Sequence, residues 1–170
     1  LQFMAESIDT FQHFLNNNNM TLCHPSNVIE DVLNLLRDNF EQHRISITKK
    51  LNADIKLIAN TNELSHVLLS ILINTRDSVF ERNIQEPEVH ISLSQQAKLI
   101  IIIVTDNAGG ISIRPIESIF QLGISSKPLT GSGLGLYMAH KIIKERFSGT
   151  LSVKNTSEGA SFIISIPIND

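Results

Sequence analysis

Apolar residues in this chain repeat with two different periods, and the switches between them predict most of its elements. From Glu63 to about Phe80, Leu64, Val67, Leu68, Ile71, Leu72, Thr75 and Val79 recur every three or four positions, the spacing of one buried helix face. Asn60, three residues ahead of Glu63, gives a capping-box pattern at its start. An earlier helix, capped by Pro25-Ser26-Asn27, carries the stripe Val28, Val32, Leu35, Leu36 and Phe40. A later one opens at Gly131-Ser132-Gly133-Leu134-Gly135-Leu136 and runs to about Phe147, with Gly149 as its C-cap. Between these helices the period shortens to two. Ile45 and Ile47, then Ile55 and Leu57, alternate with polar neighbours and give short strands on either side of Asn52-Ala53-Asp54. Val89, Ile91 and Leu93 alternate up to a turn at Gln95-Gln96-Ala97-Lys98, and the run Leu99 to Val104 reads as a buried strand. Two last strands, near 150–154 and 161–166, pair through Thr156-Ser157-Glu158-Gly159. This order predicts an α/β (α+β) sandwich: three helices on one face of a mixed, mostly antiparallel sheet, preceded by an N-terminal helix.

That first helix has its own pattern. Met4, Ile8, Phe11 and Leu15 form an a/d seam over two heptads, widened by Phe3 and Phe14. Two heptads do not hold a coiled coil alone, so the seam packs on a partner helix or caps the domain's own core. Composition adds boundaries rather than detail. A chain of 170 residues with 42% hydrophobic content supports one core. The single cysteine, Cys23, excludes an internal disulfide and suits a reducing, cytoplasmic compartment. A net charge of −3 without a basic cluster argues against nucleic acid. No apolar run approaches the roughly 20 residues of a membrane span. Leu1 is not an initiator residue, so a fragment of a longer protein is expected, with room for a membrane sensor upstream.

The candidate chemistry lies in two glycine-bearing segments. Asp106-Asn107-Ala108-Gly109-Gly110 leaves the buried strand, and Gly131 to Leu136 enters the last helix. Glycines there admit close backbone approach, and helix-start amides favour an anion such as phosphate. Neither a P-loop nor a dinucleotide fingerprint fits: G-x-x-x-x-G-K-[ST] is absent, and the spacing G-x-G-x-G follows a polar loop, not a strand. A glycine triplet alone is equally compatible with a flexible turn. The third element is Asn74, which falls at the border of its helix stripe. Its amide oxygen suits a hard cation, while an ordinary boundary residue is the other reading.

Taken together, these segments resemble the ATP-binding catalytic domain of two-component sensor histidine kinases, a Bergerat fold shared with gyrase, heat-shock chaperone and mismatch-repair ATPases. The resemblance spans about 22–168. Glu63 to Ser78 is similar to the family's N box, and Asp106 to Ile111 to its first glycine box. Ile119-Phe120 with Ser125-Ser126-Lys127 resembles the F box and lid, Gly131 to Leu136 the second glycine box, and Gly159 to Phe162 with Ile166-Pro167 the terminal strand. The resemblance implies a role for each matched residue. Asp106 would accept a hydrogen bond from the adenine amine, with Gly110 and Ile111 forming the turn under the nucleotide. Asn74 would hold Mg²⁺ against the ATP triphosphate. Gly131, Gly133, Leu134 and Gly135 would receive phosphate oxygens, and Lys127 would add a mobile charge. Residues 1–19 would be the tail of a dimerisation helix and 20–170 the catalytic domain. The partners implied are the acceptor histidine of a dimerisation domain upstream, a response regulator, and a second copy in a homodimer.

Departures from the family pattern carry information too. Ser70 stands where the family usually has its first Asn and hydrolytic relatives a general-base Glu, which counts against pure ATP hydrolysis. Thr75 replaces the usual Ala, a minor change; Ala108 replaces a glycine; Asp77 replaces a cation found in some kinases. Phe120 either docks the lid on the dimerisation helices or serves as a lid core residue. None of the six histidines fits the acceptor pattern, and His43, His66, His90 and His140 read as exposed or on strands.

Overall fold

In the computed structural model, which describes residues 19–125 and 133–168, the chain runs through eleven elements. These are β1 (Thr21–Cys23), α1 (Pro25–Gln42), β2 (Ser46–Leu51), β3 (Leu57–Ala59), α2 (Thr61–Glu81), β4 (Glu88–Gln96), β5 (Leu99–Asp106), the 3-10 turn η1 (Ile116–Phe120), α3 (Gly135–Arg146), β6 (Thr150–Asn155) and β7 (Ala160–Pro167). The seam over 1–15 lies outside the described residues. The main sheet has the order β2-β4-β5-β7-β6, with β2 and β4 parallel and every other pair antiparallel.

Register explains why one face is apolar. Val104 lies opposite Ile91 and Phe162, and Ile102 opposite Leu93 and Ile164, so these side chains share a face. All six residues of that layer are buried and join one core with Val32 of α1, Leu68 and Leu72 of α2 and Ile142 of α3. The opposite face carries Thr48, Ser92, Ile103, Thr105 and Ser152, half-buried or exposed. The α/β sandwich with helices on one face is therefore the architecture found. Burying each large aliphatic side chain of that layer contributes about 1.5–3 kcal/mol.

The α2 stripe is buried as its period predicts, and Asn60 caps it, its side chain accepting from the amides of Asn62 and Glu63. The buried carboxylate of Glu63 receives Arg146 Nε of α3 at 2.7 Å, tying two helices together. Four expectations need correction. β3 does not join the main sheet but pairs antiparallel with β1, a strand that the alternation did not reveal. Leu35 is 70% exposed, because Ile29 completes the buried stripe of α1 and rotates Leu35 outward. The cap of α1 is His24 with Pro25 in the first turn, not the Pro25-Ser26-Asn27 segment itself. At the end of α3 the C-cap is Phe147, and Ser148, at φ +50°, takes the left-handed conformation. Gly149 is needed for space: a Cβ there would lie 2.3 Å from Ser165 O.

Candidate active site

β5 sits between β4 and β7 in the sheet, and Asp106 is its last residue. The carboxylate is buried and held from three sides. Oδ1 accepts the amides of Ala108 at 3.0 Å and Ala160 at 3.1 Å. Oδ2 accepts the hydroxyl of Thr75, from α2, at 3.0 Å. The β6–β7 turn reaches this point because position 159 is glycine: a Cβ there would fall 1.9 Å from Asp106 O. Buried charge is tolerated only with such donors.

Beyond Asp106 the backbone turns sharply. Positive φ falls on Gly109 (+84°) and Gly110 (+73°), so Gly109 supplies the freedom that Ala108 lacks. Asn155, at the end of β6, clamps the turn twice, its Oδ1 accepting from Ile111 N at 2.8 Å and its Nδ2 donating to Ile111 O at 2.9 Å. Arg82, just past α2, donates from Nη1 to the carbonyls of Ala108 and, at 2.6 Å, Gly110. Gly109 N completes the brace by donating to Glu158 O at 2.9 Å.

The second glycine segment approaches the same helix. Leu134 is the N-cap of α3, and Gly135 begins it. A Cβ at Gly135 would lie 3.7 Å from Ser70 Oγ, so α2 passes directly beneath the start of α3. Gly133, at φ +66°, packs so closely on Gly123 and Ile124 that a Cβ would meet backbone at 2.6 Å. Asn74 lies one turn along α2 from Ser70, half-buried, with its carbonyl accepting Ser78 Oγ at 2.9 Å. Asp77 pairs with Arg76 at 2.6 Å, so that acidic side chain is matched within α2. Of the predicted site residues, Asn74 lies on α2, Asp106 is tied to it through Thr75 and Gly135 packs on it at Ser70, while Gly110, Ile111, Gly133 and Leu134 follow or precede these in the two glycine segments; Lys127 and Gly131 lie outside the described residues.

Phe120 of η1 is buried and stacks on His140 of α3, ring centroids 5.0 Å apart, which joins the turn before the second glycine segment to α3. Neither His140 nor His66 is freely exposed. Burial holds the imidazole of each below its ordinary range, and Lys144 adds to the effect at His140. Among the described residues no three His, Cys, Asp or Glu side chains cluster as metal ligands, and no helix is long and apolar enough to cross a membrane.

Sequence reasoning missed Arg82 and Asn155 as supports of the glycine turn and undervalued Thr75. Thr75 had a signal, a hydroxyl inside an otherwise aliphatic stripe. Asn155 and Arg82 had none, because only the fold brings them to Ile111 and Gly110.

Comparison with known proteins identifies the family and the fold. The model of histidine kinase-, DNA gyrase B- and HSP90-like ATPases matches residues 59–170. The chain is 30% identical over 145 residues to the sensor histidine kinase ZraS of Salmonella typhimurium, covering 84% of this chain and 30% of that protein. It is 31% identical over 144 residues to the histidine-protein kinase AtoS of Escherichia coli, covering 84% of this chain and 23% of that one. Among solved structures, the nucleotide-free catalytic domain of the histidine kinase ThkA superposes with a TM-score of 0.75 at 23% identity, over 88% of this chain and 95% of that one. ThkA in complex with the response regulator TrrA gives 0.76 at 17% identity, over 99% and 48%. The chain spans less than a third of the length of the curated relatives it matches.

Proposed function

The chain belongs to the family of histidine kinase-, DNA gyrase B- and HSP90-like ATPases, an ATP-binding family, and on that premise we propose that it is the catalytic domain of a sensor histidine kinase. It binds Mg-ATP between its two glycine segments and passes the γ-phosphate to a histidine of a dimerisation domain. The observation that carries this reading is the course of α2, which touches the first glycine segment through Thr75 and Asp106 and the second through Ser70 and Gly135.

Each residue then has a task. Asp106 accepts the adenine amine; guanine would present a carbonyl to it, acceptor against acceptor, at a cost of about 1–3 kcal/mol. Gly110 and Ile111 let the base lie on the turn. The backbone of Gly133, Leu134 and Gly135, at the positive end of α3, receives the phosphates, and Gly131 and the cation Lys127, both outside the described residues, are assigned to the same task. Asn74 suits Mg²⁺, which keeps its waters and phosphate oxygens and asks few protein ligands, here one amide oxygen with no acidic cluster among the described residues. When bound, the ion neutralises charge building on the triphosphate. A neutral imidazole attacks the γ-phosphorus, a P–N bond forms, and the bond to the ADP oxygen breaks. Such transfer rests on positioning and needs no general base on α2. Ser70 beside Gly135 fits that requirement and does not fit activation of water.

The acceptor histidine and the dimer come from a domain upstream, of which residues 1–19 are the tail. The phosphohistidine then serves a response regulator in the cytoplasm. Titration with ATP, ADP and GTP, with and without Mg²⁺, tests the binding half. Mixing the chain with an acceptor-bearing dimerisation domain and ATP, then assaying acid-labile phosphohistidine, tests the other half. Steady ATP hydrolysis with no phosphohistidine would overturn the kinase reading.

A further inference from the structure

We propose that Thr75 is a positioning residue that sets which lone pair of Asp106 reads the base, and so sharpens selection of a 6-amino purine; this rests on the nucleotide reading above. An ionised carboxylate offers about four in-plane acceptor sites, two per oxygen. Both sites on Oδ1 are filled by the amides of Ala108 and Ala160. One site on Oδ2 is filled by the Thr75 hydroxyl, which leaves a single one. The group is thereby reduced to one acceptor pointing in one direction.

Thr75 is 0% exposed, so it acts through Asp106 and not by touching ligand. Its β-branched side chain has few rotamers in a helix, where a threonine hydroxyl commonly bonds the carbonyl one turn back. Here it is directed across the core to Oδ2 instead. An alanine at this position, usual in the resembling family, would leave two open sites on Oδ2. Water could fill either, and a water molecule can turn to donate as well as accept. A base carrying a 6-carbonyl would then be tolerated through that water. The fixed hydroxyl takes one of these two sites, so a water on the other would have to displace the base from its direct contact.

The test compares affinities of the whole chain for ATP, ITP and tripolyphosphate by calorimetry, in the native sequence, Thr75→Val and Thr75→Ser. ITP differs from ATP at the amine that Asp106 would read. The ATP-to-ITP affinity ratio should fall about fivefold in Thr75→Val, the worth of one net hydrogen bond. Tripolyphosphate affinity should stay unchanged, and Thr75→Ser, which keeps the hydroxyl, should retain the native ratio. If Thr75→Val does not unfold cooperatively, Thr75→Ala takes its place with the same expectation. An unchanged ratio in the hydroxyl-free variant overturns the proposal. So does an equal loss for tripolyphosphate, or a serine variant as unselective as valine. Failure of the native chain to bind any of the three removes the nucleotide reading itself, and this proposal with it.

Discussion

Around Asp106 the acceptor atoms are engaged by donors from α2, the glycine turn and β7, whereas the start of α3 has no side-chain cap. The two helix N-termini make the contrast concrete. At α2, Asn60 covers the amides of Asn62 and Glu63; at α3, the N-cap is Leu134, which has no capping oxygen to offer. A helix start covered by a side-chain cap is a structural element, and one without such a cap suits an external anion. On the function proposed above, one wall of the cleft is built in advance to read a base, and the other to receive charge. Recognition and reaction need these different properties: a base must be discriminated, while phosphates must enter and leave.

The strongest way to break this division is Asp106→Asn. The amide keeps an oxygen for Ala108 and Ala160 but turns a donor toward the base amine. ATP affinity should fall about 10- to 100-fold, while tripolyphosphate binding stays within about twofold of the native chain. Calorimetry on both ligands decides it; equal losses would mean that Asp106 supports the whole cleft and does not read the base.

Asn74→Ala addresses the other wall. Removing the amide oxygen should abolish the gain in ATP affinity that Mg²⁺ brings, about tenfold or more for a charge-assisted contact. Affinity in excess chelator should be unchanged. A variant that still responds fully to Mg²⁺ would take Asn74 out of metal binding.

A control for both sits at the far end of α2. Arg146→Ala strands the Glu63 carboxylate, which is 2% exposed, without its ion-pair partner. Breaking such a pair costs about 3 kcal/mol in unfolding free energy, measurable with urea. Nucleotide affinity should not follow, because the pair lies nearly two helical turns before Ser70. A matching loss of ATP affinity would show that the walls are coupled through α2.

How much of this was legible from residues alone depended on whether the signal was periodic or spatial. The α2 stripe repeats over five turns, so its face and the Asn60 cap could be read directly. Asp106, Gly109 and Gly110 were legible because a turn after a buried strand needs a carboxylate or glycine only for a reason. β1 was not, since three residues carry no measurable period, and β3 was legible only as a strand near Leu57, without its pairing. Ser148 was overlooked in favour of Gly149 because glycine is the usual left-handed residue, and here it was required for close packing on Ser165 instead. Arg82 and Asn155 could not be placed at all: each acts 26 to 44 residues away, and only the crossing of elements brings it there.

The smallest effect tests whether η1 belongs to the phosphate wall. His140 stacks on Phe120 and is held below its ordinary pKa of about 6.5 by burial and then by Lys144. Above that value both folded and unfolded chains hold it neutral, and its contribution to stability is complete. As pH falls below about 6.5, the unfolded chain takes up the proton first, so folded stability declines through the folded pKa. His66, lowered by burial alone, adds a decline of the same sign. Tm should therefore drift downward between about pH 7.5 and about pH 5.5, and His140→Phe, which keeps the stack but cannot titrate, should remove part of that drift. If the substitution leaves the profile unchanged, the imidazole is indifferent to its setting and the packing of η1 on α3 is not pH-dependent. If it abolishes the drift entirely, His66 contributes nothing, and the packing of η1 on α3 alone carries the drift.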